Sequence, residues 1–187
     1  MTARVKKLRV VKNDGTREEY IHTKVIGTIA NALASAGQPD IKTAEELAEA
    51  VTFYLYRAGA YQDIITSEIL SIIQTVLACT GFEQAAVALS EHHIERKLRR
   101  SRIEVVEPSN DSFDTVISRQ RWDKSRIVED LVAKQNLSRP MARAVASMVE
   151  EKVFNMGISL IPHGLLQQLV INDSAAIKNA HQQLSMA

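Results

Sequence analysis

The chain is poor in the residues that define several classes of small protein. Its 187 residues contain one cysteine, Cys79, so an internal disulfide and a four-cysteine zinc ribbon are both excluded. Because Cys79 lies in an apolar stretch, we expect it to be buried as a small hydrophobe. Glycine (7), proline (4) and aromatic residues (5%) are also scarce, which favours a helical fold over a β architecture with many turns.

Neither charge nor hydrophobicity points to nucleic acid or to a membrane. The formal net charge is +1 at pH 7, which gives no global electrostatic argument for binding nucleic acid. The N-terminus lacks the apolar core of a signal peptide, and no apolar run reaches the length that a bilayer requires. We therefore expect a cytoplasmic protein with no membrane partner.

The sequence also lacks the motifs of common catalytic sites. It has no P-loop, no paired glycine-rich phosphate loop and no metalloprotease helix signature. His92 and His93 are adjacent, so on a helix they diverge by about 100° and cannot hold one metal ion together. We predict no catalytic residue and no metal-binding residue, and we do not expect an enzyme.

The first twenty residues predict a β-hairpin. Leu8, Val10 and Lys12 alternate with the residues between them, as in a strand with two different faces. Asp14-Gly15 follows, a dipeptide that tolerates the positive φ angles of tight turns, and Thr16 to Tyr20 forms the return strand. Because two strands alone are marginal in water, the hairpin must pack on other elements.

Four stretches with helical periodicity follow the hairpin, and capping and stop residues set their limits. We interpret Ile64-Ile65 as a short apolar connector and Thr66 as the N-cap of the third helix. The predicted helices run from Thr23 to about Ser35, from a capping box at Thr43 to Gly59, from Thr66 to about Thr80, and from about Glu83 past His92.

The fourth helix ends in a basic stretch, residues 96–102, which has five cations in seven residues. One interpretation is a solvated helix end, where cations complement the helix dipole. The other is contact with phosphate, from a nucleotide or from nucleic acid. The sequence leaves both open.

The second half begins with a polar segment, and we interpret residues 105–118 as a linker. Helical periodicity then resumes, with Asp123 as an N-cap, Pro140 in the first turn of a second helix and Pro162 before a third. The order of helices and their apolar spacing weakly repeat those of the first half, without an obvious Asp-Gly hairpin. Either this is a related bundle whose ligand function is absent or altered, or the two halves are generic three-helix patterns.

The hairpin, Lys24 and the Ile65-Thr66-Ser67 segment together resemble the opening and third helix of the ATP-cone family. That family is the allosteric nucleotide-binding domain at the N-terminus of many ribonucleotide reductases, and it also occurs in the repressor of their genes. The resemblance covers roughly residues 5–102 and ends with the basic fourth helix. It implies a regulatory domain that binds ATP or dATP, with or without Mg²⁺.

The resemblance also implies which residues contact the nucleotide. Convergent cations and a helix N-terminus suit a triphosphate, and a carboxylate near the base can accept from an amino group. The implied phosphate contacts are Lys12, Lys24, Thr66 and Arg96, and the implied base contacts are Val10, Glu18, Tyr20 and Val25.

Two positions depart from the family pattern. Asn13 replaces the arginine that usually precedes the Asp-Gly turn, so the predicted site includes Asn13 but lacks one charge. Leu70 stands where some reductases place a histidine in the third helix. Both changes affect the expected affinity and the discrimination between ATP and dATP, but they leave the expected fold unchanged.

We therefore predict a mainly α protein with a small N-terminal β-hairpin. Residues 1–104 form a four-helix cone-like domain, and residues 119–187 form a second small helical bundle, which could be a degenerate cone-like repeat. The expected function is that of an allosteric sensor, linked to ribonucleotide reduction, whose nucleotide controls homo-oligomerisation or a protein partner. The alternatives are a degenerate cone that acts as a protein-interaction module and a DNA-binding regulator that uses the basic stretch.

Overall fold

The computed structural model describes residues 8–12, 15–57, 63–108 and 117–186. The chain divides into two compact units, Met1–Glu95 and Arg96–Ala187, called the first unit and the second unit below. The described residues are mostly helical and include a small N-terminal hairpin, so the predicted fold class is confirmed. None of the helices in these ranges is both long enough and apolar enough to cross a membrane.

The elements of each unit follow one another in a similar order. Those of the first unit are β1 (Arg9–Val11), β2 (Arg17–Glu19), α1 (His22–Ser35), α2 (Ile41–Arg57), β3 (Asp63–Ile65), α3 (Thr66–Cys79) and α4 (Glu83–Arg102), within which the division falls. Those of the second unit are β4 (Glu104–Pro108), β5 (Ile117–Arg121), α5 (Lys124–Gln135), α6 (Arg139–Met156), β6 (Leu160–Pro162) and α7 (His163–Met186).

The first unit contains a three-stranded sheet in the order β2-β1-β3. Strands β1 and β2 pair antiparallel, as the hairpin prediction requires, with Val10 opposite Glu18. Strand β3 pairs parallel to β1 and places Ile64 beside Val10. The interpretation of Ile64-Ile65 as a connector is therefore wrong, because three residues with one buried side chain suffice to extend the sheet.

The second unit has its own hairpin and a sheet in the order β5-β4-β6. Strands β4 and β5 pair antiparallel over five residue pairs, from Glu104–Arg121 to Pro108–Ile117, and β6 pairs parallel to β4. Residues 104–108 and 117–121 are thus strands, and the linker interpretation of residues 105–118 is wrong for those positions. The described side chains of β5 (Ile-Ser-Arg-Gln-Arg) are exposed, so the strand has a polar sequence. It therefore lacks the apolar alternation by which a strand is predicted from sequence.

The two sheets agree in register as well as in order. Val10 lies opposite Glu18 and beside Ile64, and Val105 lies opposite Gln120 and beside Ile161. The backbone bond that closes each hairpin also repeats, from Tyr20 N to Leu8 O and from Trp122 N to Ile103 O. Each paired position of β1 and β2 therefore has a defined counterpart in β4 and β5, so the weak repeat in the sequence corresponds to a repeated topology.

Each unit has its own hydrophobic core. In the first unit, one face of each helix packs beneath the sheet, with Ile29, Leu33, Ile73 and Leu77 almost fully buried. The core of the second unit is built around α5 and α6 and includes Trp122. This packing supplies the support that the short hairpins need.

Three local predictions need correction. Helix α2 begins at Ile41 rather than at a capping box on Thr43, because the Asp40 side chain accepts from Lys42 N at 3.0 Å and from the Thr43 hydroxyl at 2.6 Å. Thr66 is the first helical residue of α3 and not its N-cap, which is Ile65. Cys79 is exposed, because the helical period that buries Leu77 turns Cys79 away from the core.

Candidate functional site

The candidate site lies on the core-facing side of the first hairpin. Side chains alternate along a strand, so Val10, Lys12, Glu18 and Tyr20 share this side, whereas Arg9, Arg17 and Asp63 form ion pairs on the opposite side. Val10 is buried, and the Glu18 side chain is only 11% exposed. A charged side chain facing the core is costly unless it is paired, so Glu18 marks a candidate site.

Glu18 brings together the two predicted phosphate-binding lysines. Lys12 Nζ, next to β1, lies 3.8 Å from Glu18 Oε2, and Lys24 Nζ, in the first turn of α1, lies 3.7 Å from the same oxygen. These distances fit ion pairs but exceed those of hydrogen bonds. Two cations thus converge on one carboxylate, and the group carries a net positive charge.

The start of α3 lies beside the same strand. Thr66 Oγ1 donates to Val11 O across 3.3 Å, which joins residues 55 positions apart in the sequence. Glu68 Oε2 accepts from Ile65 N at 3.2 Å and so satisfies one backbone donor at this helix end. The amino end of α3, with its positive dipole end and free N–H groups, is therefore next to the strand that precedes Lys12.

A polar chain that the sequence did not reveal surrounds Tyr20. Its hydroxyl lies 2.7 Å from Thr52 Oγ1, and His22 Nδ1 lies 2.8 Å from the same oxygen. The rings of Tyr20 and Tyr56 meet edge to face, with centroids 6.4 Å apart. Burial raises the pKa of Tyr20 above its ordinary value, more than the hydrogen bond to Thr52 lowers it. Thr52 and Tyr56 lie on α2, so only tertiary structure brings them to the hairpin.

The remaining predicted residues have different positions. Val25 is buried in the first core, one residue after Lys24. Asn13 lies outside the described residues. Arg96 belongs to the second unit, where its guanidinium contacts Glu150 Oε2 at 2.5 Å and Glu151 Oε1 at 2.9 Å. The structure therefore brings Val10, Lys12, Glu18, Tyr20, Lys24 and Thr66 into one neighbourhood and engages Arg96 in another cluster.

That other cluster is centred on Glu150, whose side chain is fully buried on α6. Arg100 donates to both of its carboxylate oxygens, at 2.7 and 2.9 Å, and Trp122 Nε1 donates to Oε1 at 3.3 Å. Lys124 Nζ lies 3.5 Å from Oε2. Two cations of the basic stretch, Arg96 and Arg100, thus bind the buried carboxylate of Glu150 in the second unit.

Hydrogen bonds and neighbouring charges outweigh burial in setting the pKa values of Glu150 and Arg100, but not that of Lys124. Burial by itself works to raise the pKa of Glu150, but the hydrogen bond from Arg100 and the charges of Lys124 and Arg100, helped by Arg96, hold the pKa at about 2. Burial lowers the pKa of Lys124, although the neighbouring Glu150 opposes the change. The hydrogen bond with Glu150 raises the pKa of Arg100. Glu150 therefore acts as a structural counterion at neutral pH.

No protein-family model matches the chain, and no curated protein matches it either. Among the described residues, no group of three or more histidine, cysteine, aspartate or glutamate side chains is arranged to hold a metal ion. His92 and His93 are both exposed on α4, as expected for surface residues. The candidate site therefore depends on the geometry at the first hairpin.

Proposed function

We propose that the first unit reversibly binds ATP or dATP and acts as an allosteric sensor. The observation that carries the proposal is the convergence of Lys12 and Lys24 on Glu18, beside the start of α3. These residues come from a strand end, a return strand and two helices. The resemblance to the ATP-cone family implied the same residues as nucleotide contacts, and their proximity supports that implication.

The phosphate end of the proposed site uses exchangeable charges. The side chain of Lys24 is 55% exposed and that of Lys12 is 31% exposed. Because neither is buried, both ammonium groups can turn from Glu18 toward a bound phosphate. A triphosphate is a stronger partner for two ammonium groups than one shared carboxylate. Thr66 and the N–H groups at the start of α3 add uncharged donors.

The base end uses the residues toward the core. Val10 and Val25 supply buried apolar surface, and Tyr20 supplies a ring held by its bond to Thr52. Once nucleotide phosphates take over Lys12 and Lys24, the Glu18 carboxylate becomes available to accept from the amino group of adenine. This exchange links recognition of the base to recognition of the phosphates.

A thermal shift titration tests the proposal. Because a ligand bound only by the folded state stabilises it by mass action, ATP or dATP with magnesium should raise the Tm of the full chain. GTP presents a carbonyl where adenine presents an amino group, so it should raise the Tm less. An unchanged Tm at millimolar ATP and dATP would contradict the proposal.

We further propose that occupancy is transmitted through assembly or a protein partner. The phosphates would contact elements from several parts of the first unit, so surfaces formed jointly by these elements differ between the bound and free states. A ligand shifts such an equilibrium only by its differential affinity for the two forms. Light scattering over a concentration series should show a mass distribution that changes with ATP. If the mass is unchanged at saturation, a different protein must sense the nucleotide.

One observation favours the alternative of a protein-interaction module. Three neighbouring aromatic residues near the end of α2 are well exposed: Phe53 (64%), Tyr54 (56%) and Tyr56 (50%). Exposed aromatic groups of this kind are typical of protein contacts. The variant Phe53→Ser should reduce any self-association without changing nucleotide affinity. Equal masses for the variant and the wild type would argue against self-association through this surface.

A further inference from the structure

The second unit has a cavity at the position that corresponds to the candidate site of the first. Its volume is about 330 Å³, at the lower end of the usual range for small-ligand sites, roughly 300–1,000 Å³. The shared register makes Val105, Gln120 and Trp122 the counterparts of Val10, Glu18 and Tyr20. Counting onward from Tyr20 and Trp122 pairs Lys24 with Arg126 and Val25 with Ile127. Val105, Gln120, Trp122, Arg126, Ile127 and His163 form part of the lining of this cavity.

The apolar part of the site is retained in the second unit. Val105, Trp122 and Ile127 replace Val10, Tyr20 and Val25, and each new side chain is as large or larger. Trp122 adds an indole ring fixed by its bond to buried Glu150. These walls suit a planar, uncharged ring system.

The charged part of the site has changed its chemistry. Glu107 occupies the position of Lys12, and His163 occupies that of Thr66, with His163 Nδ1 3.3 Å from Glu107 Oε1. A carboxylate therefore stands where the first unit has an ammonium group. In the lining of the cavity itself, the acidic residues Asp123, Glu129 and Asp130 outnumber the arginines, Arg121 and Arg126. Such a lining repels a triphosphate.

Gln120, the counterpart of Glu18, offers a hydrogen-bond donor to a ligand where the first unit offers an acceptor. Arg126 Nη1 donates to Gln120 Oε1, and because a guanidinium only donates, the amide oxygen must face it. The amide NH₂ of Gln120 is left to donate to a ligand. An ionised carboxylate at this position, as in Glu18, can only accept. The second cavity therefore favours a ring with a carbonyl, where the first favours one with an amino group.

We propose that this cavity is a second ligand site, which takes an uncharged nucleoside whose base presents a carbonyl group and which rejects triphosphates. The proposal relies on the proposed function only for the choice of a nucleoside as the ligand class. The apolar walls, the acidic residues of the lining and the orientation of Gln120 are observations on the second unit itself.

Trp122 makes the test specific, because it is the only tryptophan in the chain. Inosine and adenosine form a suitable pair of probes, since they differ at the carbonyl and amino position of the ring. Titrating the full chain with inosine should change Trp122 fluorescence to saturation, with affinity about tenfold higher than for adenosine, the scale of one well-made hydrogen bond. The variant Gln120→Glu should reverse this preference.

Control variants separate this proposal from the function proposed for the first unit. Glu18→Gln makes the reciprocal change in the first unit and should leave the inosine titration of Trp122 unchanged. Lys24→Ala should also leave it unchanged while weakening ATP binding measured by calorimetry. A chain that responds to inosine and never binds ATP would overturn the proposed function alone.

Three results would overturn the second site. The first is the absence of a saturable Trp122 response to inosine in a wild-type chain that binds ATP. The second is a preference for inosine that Gln120→Glu leaves unchanged. The third is competition by ATP against inosine at Trp122, because it would show that the cavity accepts a triphosphate.

Discussion

The hairpins of the two units share one register but carry different polar groups on their core-facing sides. In the first unit, Lys12, Glu18 and Lys24 form two ion pairs with net positive charge. At the corresponding positions of the second unit, Glu107 Oε1 lies 3.3 Å from His163 Nδ1, and Gln120 accepts from Arg126. The backbone pairing that defines the topology is thus compatible with two different sets of charges, so topology alone does not determine the chemistry of this side of the hairpin.

A second comparison concerns Glu18 and Glu150, the main carboxylate of each unit. Glu150 is fully buried and accepts hydrogen bonds from Arg96, Arg100 and Trp122. Glu18 remains 11% exposed, and its lysines stay 3.7 and 3.8 Å away. Hydrogen bonds from planar guanidinium and indole groups to a buried carboxylate suit a structural role, whereas longer contacts with flexible ammonium groups allow exchange with a ligand.

The largest effect is expected from removing the charge of Glu150. Glu150→Gln leaves Arg96, Arg100 and Lys124 clustered around a neutral buried side chain, so the free energy of unfolding should fall by about 3–5 kcal/mol. Urea denaturation followed by Trp122 fluorescence measures this directly.

Glu151→Gln is the matched control for this change. Glu151 also pairs with Arg96, but its side chain is 53% exposed, so its loss should cost at most about 1 kcal/mol. Equal losses of stability in the two variants would mean that burial does not distinguish their roles.

The stability of the protein at acid pH should depend on the ionisation of Glu150. The pKa of Glu150 is about 2 in the folded state against 4.5 ordinarily, so its contribution is fully present above pH 4.5. As the pH falls from 4.5 toward 2, the unfolded state takes up the proton first, and about 3 kcal/mol of stability is lost. Denaturation curves at several pH values should show a smaller loss in Glu150→Gln. An identical pH dependence in both proteins would exclude Glu150 as its source.

A smaller effect distinguishes the two hairpins in nucleotide binding. Lys12→Ala and Lys24→Ala should each weaken ATP binding by about 1.5–3 kcal/mol, the scale of a charged hydrogen bond. Arg126→Ala removes the counterpart cation in the second unit and should leave ATP affinity unchanged. Circular dichroism should find the apo fold intact in the Lys24 variant, because that side chain is largely exposed. A weaker ATP affinity in Arg126→Ala would indicate that the triphosphate binds in the second unit, and so would contradict the proposed site.

Local signals predicted much of the first unit. The alternation before Asp14-Gly15 and the helical periodicity of α1 to α4 depend on near neighbours, and they predicted the hairpin and helices. The second hairpin was missed because the exposed side chains of β5 lack apolar alternation. The bond from Thr66 to Val11 and the contact between Tyr20 and Thr52 join distant segments. Arg96 was assigned by motif position, but its partner, buried Glu150, depends on tertiary packing that periodicity does not reveal.

The central claim is that the first hairpin binds an adenine nucleotide and the second rejects it. Calorimetric titration of the full chain with ATP, repeated on Lys12→Ala/Lys24→Ala, tests this most directly. We expect a stoichiometry of one ATP per chain in the wild type and a large loss of affinity in the double variant. A stoichiometry of two, or equal affinity in wild type and double variant, would contradict the account.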